Sequence, residues 1–303
     1  MVYPVNELVT DYKRRQEEVK TEKLYFTGVG EKDVYNITAP FDDDGQTVIA
    51  GRVEGRDTEF SEVVFFIEKN GVWEPRENTK MFSLQDPFVS KIKGELVFGG
   101  VEVFENPENE KQLFWRTVFY RGKNINSLTK FAVGPLGMKD IRLFEYKDGK
   151  IGIFTRPQGE KGGRGIIGYF SIASLDELNA EIIDAAPLVK AHFLNEEWGG
   201  VNEAYVNEKG QVLALGHIAS FDEEGNRHYY PITFEYVPSI NEIRSMKIIA
   251  MRSDFPDGDA KRDDLVDVLF SGGLKFIEDG KAELYVGVSD AEAHKAVIPN
   301  PFL

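Results

Sequence analysis

Short apolar runs, each broken by a turn that carries glycine, recur along the chain. The stretch from Leu84 to Glu102, LQDPFVSKIKGELVFGGVE, shows the unit: an acid before a proline, one run, a turn at Lys93-Gly94, and a second run of small and apolar residues. Four more copies align on turn glycines at Gly45, Gly149, Gly210 and Gly280, and the spacing between successive glycines widens from 49 to 70 residues. Asp-Gly and Lys-Gly between apolar runs are hairpin signals, because glycine accepts the positive φ such turns need. A period of this size with several strands per unit predicts an all-β, five-bladed β-propeller, read here as one domain over 1-303.

Before the first blade, apolar and aromatic residues at Val5, Leu8, Val9, Tyr12 and Val19 predict an amphipathic helix over Leu8 to Lys20. Lys23 to Phe26 reads as a strand that completes the last blade and so removes a free edge. Ser253 to Asp264, SDFPDGDAKRDD, is the most polar connection and reads as an exposed loop.

Polar residues fall at matching places in the copies. About eight residues before each turn glycine stand Asn36, Asp86, Asp140 and Asn202-Glu203, and seven after it stand Arg52, Val101, Arg156 and His217. In the last copy the polar residue comes later, at Asp290. Equivalent places in a ring of blades converge on its central channel, where a propeller holds a small ligand.

Composition narrows the partner. A net charge of −15 argues against nucleic acid, whose phosphates are bound by clustered Lys and Arg. The absence of cysteine excludes disulfides and thiolate metal sites, and four scattered histidines lack metal-ligand spacing, so no metal is expected. Without an apolar leader or a run long enough to span a bilayer, a cytoplasmic protein with no membrane partner is the default. Oligomeric state is left open.

With these residues in view, the chain resembles the five-bladed propeller carbohydrate-active enzymes. The likeness is greatest to the β-mannoside phosphorylases and mannosidases of glycoside hydrolase family 130, and the chain is identified as a member of the family called domain of unknown function 1861. Tyr35-Asn36 and Gly51-Arg52-Val53-Glu54 are similar to the first-blade pattern, and Gln85-Asp86-Pro87-Phe88 resembles an acid-Asp-Pro-Arg motif whose aspartate is the general acid. Phe88 and Gln85 depart from that motif. Phe154-Thr155-Arg156-Pro157 and Leu215-Gly216-His217 are similar to strands that help to hold phosphate in the phosphorylases, and Tyr285 to Asp290 to the fifth-blade strand.

The resemblance implies an inverting glycoside hydrolase or phosphorylase acting on a small carbohydrate, a β-mannoside among the options. It implies no redox cofactor, and inorganic phosphate as a possible co-substrate. Asp86 is the expected acid, its pKa raised by desolvation and neighbouring acids, with Glu203 as its rival and Asp140 and Asp290 sharing the channel. Arg52, Arg156 and His217 are expected to bring positive charge, either to hold phosphate or to neutralise the acids. Asn36 completes the sugar-binding set. Trp198, Tyr35 and Tyr285 are candidate stacking platforms, or core, and His294 could pair with Asp290 at the rim. The glycine-rich Glu160 to Gly165 follows no Rossmann strand and gives only a weak phosphate signal. The alternative is a sugar-binding or sensing propeller without catalysis, for which Phe88 is the main argument.

Overall fold

The computed structural model describes residues 2–106 and 109–303. Helix α1 (Val5–Arg15) and strand β1 (Lys20–Lys23) precede the first blade. That blade holds β2 (Asp33–Tyr35), β3 (Phe41–Asp43), β4 (Gln46–Glu54), β5 (Ser61–Lys69) and β6 (Val72–Pro75). The second has β7 (Gln85–Ile92), β8 (Glu95–Asn106), β9 (Asn109–Gly122) and β10 (Thr129–Val133). The third has β11 (Arg142–Glu145), β12 (Ile151–Thr155) and β13 (Gly168–Ile172), after which comes the short helix α2 (Ala180–Asp184). The fourth has β14 (Trp198–Val206), β15 (Val212–Phe221), β16 (Arg227–Val237) and β17 (Glu242–Ile248), and the fifth β18 (Leu269–Ile277), β19 (Lys281–Val288) and β20 (Glu292–Pro299). The predicted five-bladed propeller is the observed fold. All five turn glycines have positive φ, between 64° and 81°, which is the conformation the hairpins demand.

The ring closes on itself. Strand β1 lies antiparallel to β20, with Lys20 opposite Val297 and Lys23 opposite His294, and so completes the fifth sheet. The sequence reading placed this strand at Lys23 to Phe26; Phe26 instead bridges to Trp73 in the first blade. Helix α1 also begins and ends earlier than expected. The Val5 N–H donates to Glu197 Oε1 at 2.7 Å, and Gln16 turns left-handed with φ 49°. Val5, Leu8 and Tyr12 are buried on the helix face that packs beside the fourth blade, whereas Val19 belongs to a different cluster near β1.

Among the described residues, buried apolar side chains form five clusters, one at each seam between neighbouring blades. Phe65, Phe82 and Phe98 join blades one and two, and Phe88, Phe119 and Ile153 join two and three. Phe154, Val201 and Phe234 join three and four, Leu215, Leu269 and Leu284 join four and five, and Ile37, Phe66 and Tyr285 join five and one. Each fully buried side chain of this size contributes roughly 1.5–3 kcal/mol, so the seams carry most of the stability. Tyr285 is therefore core rather than a sugar platform, and its hydroxyl donates to Glu283 at 2.9 Å. No helix among the described residues is long and apolar enough to cross a membrane.

Candidate active site

The inner strands lose register where the polar residues were expected. Pairing shifts between Gln85 and Phe88, between Val201 and Glu203, and between Ser271 and Gly273. Asn36, Asp86 and Asp140 take left-handed φ values of 45°, 47° and 58°. A bulge re-aims one side chain while the strand continues, and Asn and Asp tolerate this region better than other residues with a side chain. The fold thus turns one short polar group from each of the first four blades into the channel.

On one side of the channel, Asp86 Oδ1 accepts from Asn36 Nδ2 at 2.8 Å and from Arg52 Nη1 at 3.0 Å. Arg52 also donates to Glu54 Oε2 through Nε at 2.9 Å and Nη2 at 2.6 Å, and its guanidinium lies 4.8 Å from the Tyr35 ring centre. Tyr35 is buried and donates to Glu54 Oε1 at 2.7 Å, so it supports Arg52 and offers no stacking face. Glu54 was not singled out from sequence. Nor was Lys261, whose ammonium is buried against Glu54 and lies 3.2 Å from Glu59 Oε1 and 2.8 Å from the Thr58 carbonyl. The loop read as wholly exposed therefore sends one cation beneath the surface to lock the fourth-to-fifth connection onto the first blade.

Across the channel, Arg156 Nη1 donates to Asp140 Oδ2 at 3.1 Å and its Nε to the Gly199 carbonyl at 3.1 Å. His217 Nε2 is 3.9 Å from Asp140 Oδ2, and its Nδ1 lies 2.9 Å from Asn202 Oδ1. Arg142 fills the channel between the two groups, with its guanidinium 4.4 Å from the Phe88 ring centre and Nη2 3.8 Å from Asp140 Oδ1. Phe88, which stands where the resembled motif has arginine, thus carries an arginine supplied by the next blade.

Charge states differ from expectation. Burial pushes the Asp86 carboxyl up, but Arg52, Lys139 and the Asn36 amide outweigh it and hold Asp86 below its ordinary value. The free site therefore keeps Asp86 ionised, contrary to the raised pKa expected from its burial. Asp140 is also buried, yet Arg156 and then His217 hold it down at about 2. His217 falls to about 3, chiefly through burial, so it is neutral and supplies a hydrogen bond rather than the expected charge. Asp290, half-buried, reaches this region from the turn after β19, and burial raises it despite Arg52. Lys139, another residue the sequence did not flag, acts on Asp86, Asp140 and Asp290 together.

Above these groups opens a cavity of about 450 Å³. Lys139 and Arg156 lie among its lining residues, Val103, Leu113 and Trp115 of the β8–β9 hairpin form one wall, and Trp198, Phe221 and Tyr229 form another. Trp198 is a buried residue lining the cavity, with Nε1 donating to the Tyr229 hydroxyl at 2.8 Å.

Glu203 is elsewhere. It lines cavities with Phe41, Val89 and Leu274 that share no residue with the mouth, because side chains next to each other on a strand face opposite ways. Its carboxylate accepts from the Tyr205 hydroxyl and from the Leu274 N–H at 2.9 Å, and burial pushes it up to about 7. His294 is also misplaced by the sequence: it is buried and contacts Glu292 Oε2 at 2.8 Å, not Asp290.

Because folded Glu203 titrates near 7 and an unfolded Glu near 4.3, its contribution is fully present in acid and is lost as pH rises through 7. Glu203→Gln, which keeps an acceptor for Tyr205 and Leu274, is expected to be more stable than the parent at pH 8 by roughly 1–3 kcal/mol, with little difference at pH 4. Melting temperatures at the two pH values check this. Equal gains at both would show that the carboxylate does not titrate in the fold.

A family model described as Protein of unknown function (DUF1861) matches residues 11–303. A mannose phosphorylase from Leishmania mexicana, solved with a phosphate ion, is 35% identical with a TM-score of 0.90, over 98% of this chain and 93% of that one. A GDP-Man-dependent mannosyltransferase from the same organism is 33% identical with a TM-score of 0.89, over 98% and 94%. The 4-O-β-D-mannosyl-D-glucose phosphorylase of Bacteroides fragilis is 28% identical over 161 residues, which are 50% of this chain and only 39% of that curated relative.

Proposed function

We propose that this chain, which belongs to the DUF1861 family, is a mannoside phosphorylase: it breaks a mannosidic bond with inorganic phosphate as the attacking group. The observation that carries this reading is the cationic floor of the cavity, where Lys139 and Arg156 stand beside Asp86 and Asp140. Neither Lys139 nor the mouth of the cavity is needed for neutralising the acids alone, since Arg52, Arg142 and Arg156 already face them. The resemblance in sequence to a mannose phosphorylase that holds a phosphate ion supports the same choice over water.

In this mechanism Asp86 protonates the oxygen of the leaving sugar while a phosphate oxygen forms the new bond to the anomeric carbon from the opposite face. The product is the mannosyl phosphate with inverted configuration, together with the free acceptor sugar. Arg156 and Lys139 hold the phosphate, neutral His217, whose Nδ1–H donates to Asn202 Oδ1, offers Nε2 as acceptor to a phosphate hydroxyl, and Asn36, Asp140 and Asp290 bind hydroxyls. Asp86 must gain a proton first. A bound phosphate places negative charge beside Lys139 and Arg156, offsets the field that keeps Asp86 ionised, and so raises its pKa. The acid is loaded only when its co-substrate is present, which limits wasteful hydrolysis.

The test is turnover of a panel of mannosides with and without phosphate, with the anomeric form of the product read by NMR. Phosphate-dependent release of an inverted mannosyl phosphate is expected. Equal turnover without phosphate would make the protein a hydrolase, and no turnover across the panel would favour the non-catalytic sugar-binding reading.

A further inference from the structure

The cavity holds more positive charge than one phosphate needs. Among the described residues, Lys139, Arg156, Arg164 and Arg227 line it against a single carboxylate, Glu59, in a protein of net charge −15. Arg156 is engaged by Asp140 and Arg227 by Asp264. Lys139 and Arg164 have no carboxylate partner among the described residues. Lys139 lies beside Asp86 and Asp140 and belongs to the floor. Arg164 remains as an unexplained cation at the rim.

Its placement is held by construction. The glycine-rich segment after β12 folds back through mutual Gly159–Gly163 backbone hydrogen bonds of 2.8 and 2.7 Å. Arg156 Nη2 donates to the Arg164 carbonyl at 3.3 Å, and Gln158 Nε2 donates to the same oxygen at 2.9 Å. A side chain at Gly165 would stand 2.6 Å from the Arg156 guanidinium, so glycine lets the loop wrap that residue. The Arg164 guanidinium then stacks on Phe221 at 5.0 Å and Trp198 at 5.7 Å, and Arg227 lies over the same Phe221 ring at 5.4 Å. Stacking fixes the plane of a guanidinium while leaving its N–H groups to bind an anion, and a planar fork suits phosphate oxygens.

We propose that Arg164, with Arg227 beside it, forms a second phosphoryl subsite at the rim of the same cavity as the first. The full ligand set of this cavity therefore carries two phosphoryl groups, either as a diphosphate or as a phosphate on the second sugar. The inference rests on the reading above only in assigning the first phosphate to Arg156 and Lys139.

The test reads binding, so it does not depend on turnover. Isothermal titration is run on the full chain and on Arg164→Ala with inorganic phosphate, pyrophosphate, GDP and mannose 6-phosphate. Retention of the melting temperature is expected, since Arg164 is exposed. If the source is a diphosphate, pyrophosphate and GDP bind at least about tenfold tighter than phosphate, and Arg164→Ala removes that advantage without weakening phosphate. If it is a phosphorylated sugar, mannose 6-phosphate binds while saturating phosphate occupies the floor, and Arg164→Ala abolishes that binding. Affinities for all four probes within twofold between the two proteins would overturn the subsite, whether or not mannosides turn over.

Discussion

Asp86→Asn is expected to lower kcat for phosphorolysis by about a thousandfold, within the range that general acids contribute. The substitution is a clean one, because Asn36 and Arg52 both donate to the same carboxylate oxygen, Oδ1, which the amide retains. Asparagine also accepts the left-handed φ of 47° at this position. What disappears is the ability of the second oxygen to deliver a proton. The pH profile gives an independent reading. The kcat/KM for phosphate reports the site before phosphate binds, and kcat reports the ternary complex. Since Arg52 and Lys139 hold the free carboxyl low and phosphate offsets that field, the alkaline limb should lie at higher pH in kcat than in kcat/KM. Coincident limbs would separate phosphate from the charge state of Asp86. A thousandfold loss in Glu203→Gln, with Asp86→Asn active, would move the acid to the other end of the channel.

The largest effect on folding is expected at Gly272. This residue is the fifth-blade counterpart of Asn36, Asp86, Asp140 and Asn202, at the register shift between Ser271 and Gly273. It carries no side chain because blade one leaves no room: a Cβ there would stand 1.6 Å from the Ile37 carbonyl oxygen. Ile37 is fully buried in the seam that closes the ring, and the obstacle is backbone rather than a rotatable side chain. Gly272→Ala should therefore cost about 3 kcal/mol or more, at the upper end for overpacking, and lower the melting temperature by roughly 5–10 °C. A fall of less than 2 °C would mean that the seam between blades five and one can open without loss.

The hairpins and channel positions were legible because they rest on local rules. Asp-Gly and Lys-Gly turns need positive φ, and the recurring Asn or Asp before the first four marks the position that the ring turns into its channel. Asp86, Arg52, Asn36, Asp140, Arg156 and His217 fell together because equivalent places in a repeat occupy equivalent places in space. Glu203 did not, since its pairing with Asn202 in sequence hid the alternation that sends it to the opposite end. The charge of Asp86 was misread for a different reason. Burial can be guessed from a motif, but the guanidinium of Arg52 at 3.0 Å is a contact between strands of different blades. Lys261 was illegible altogether, as nothing in a run of twelve mostly polar residues marks the single one that finds Glu54, 207 positions away.

The antiparallel pair formed by β1 and β20 sets an order on how the molecule comes into being. Lys20–Lys23 leave the ribosome long before Glu292–Pro299 and must wait, with their backbone groups satisfied by water, until that strand emerges to meet them. Closure of the ring is thus tied to synthesis of the fifth blade. A nascent chain stalled after the fourth blade would hold Asp86 and Arg156 yet lack the last segment of the circle that presents them to one another.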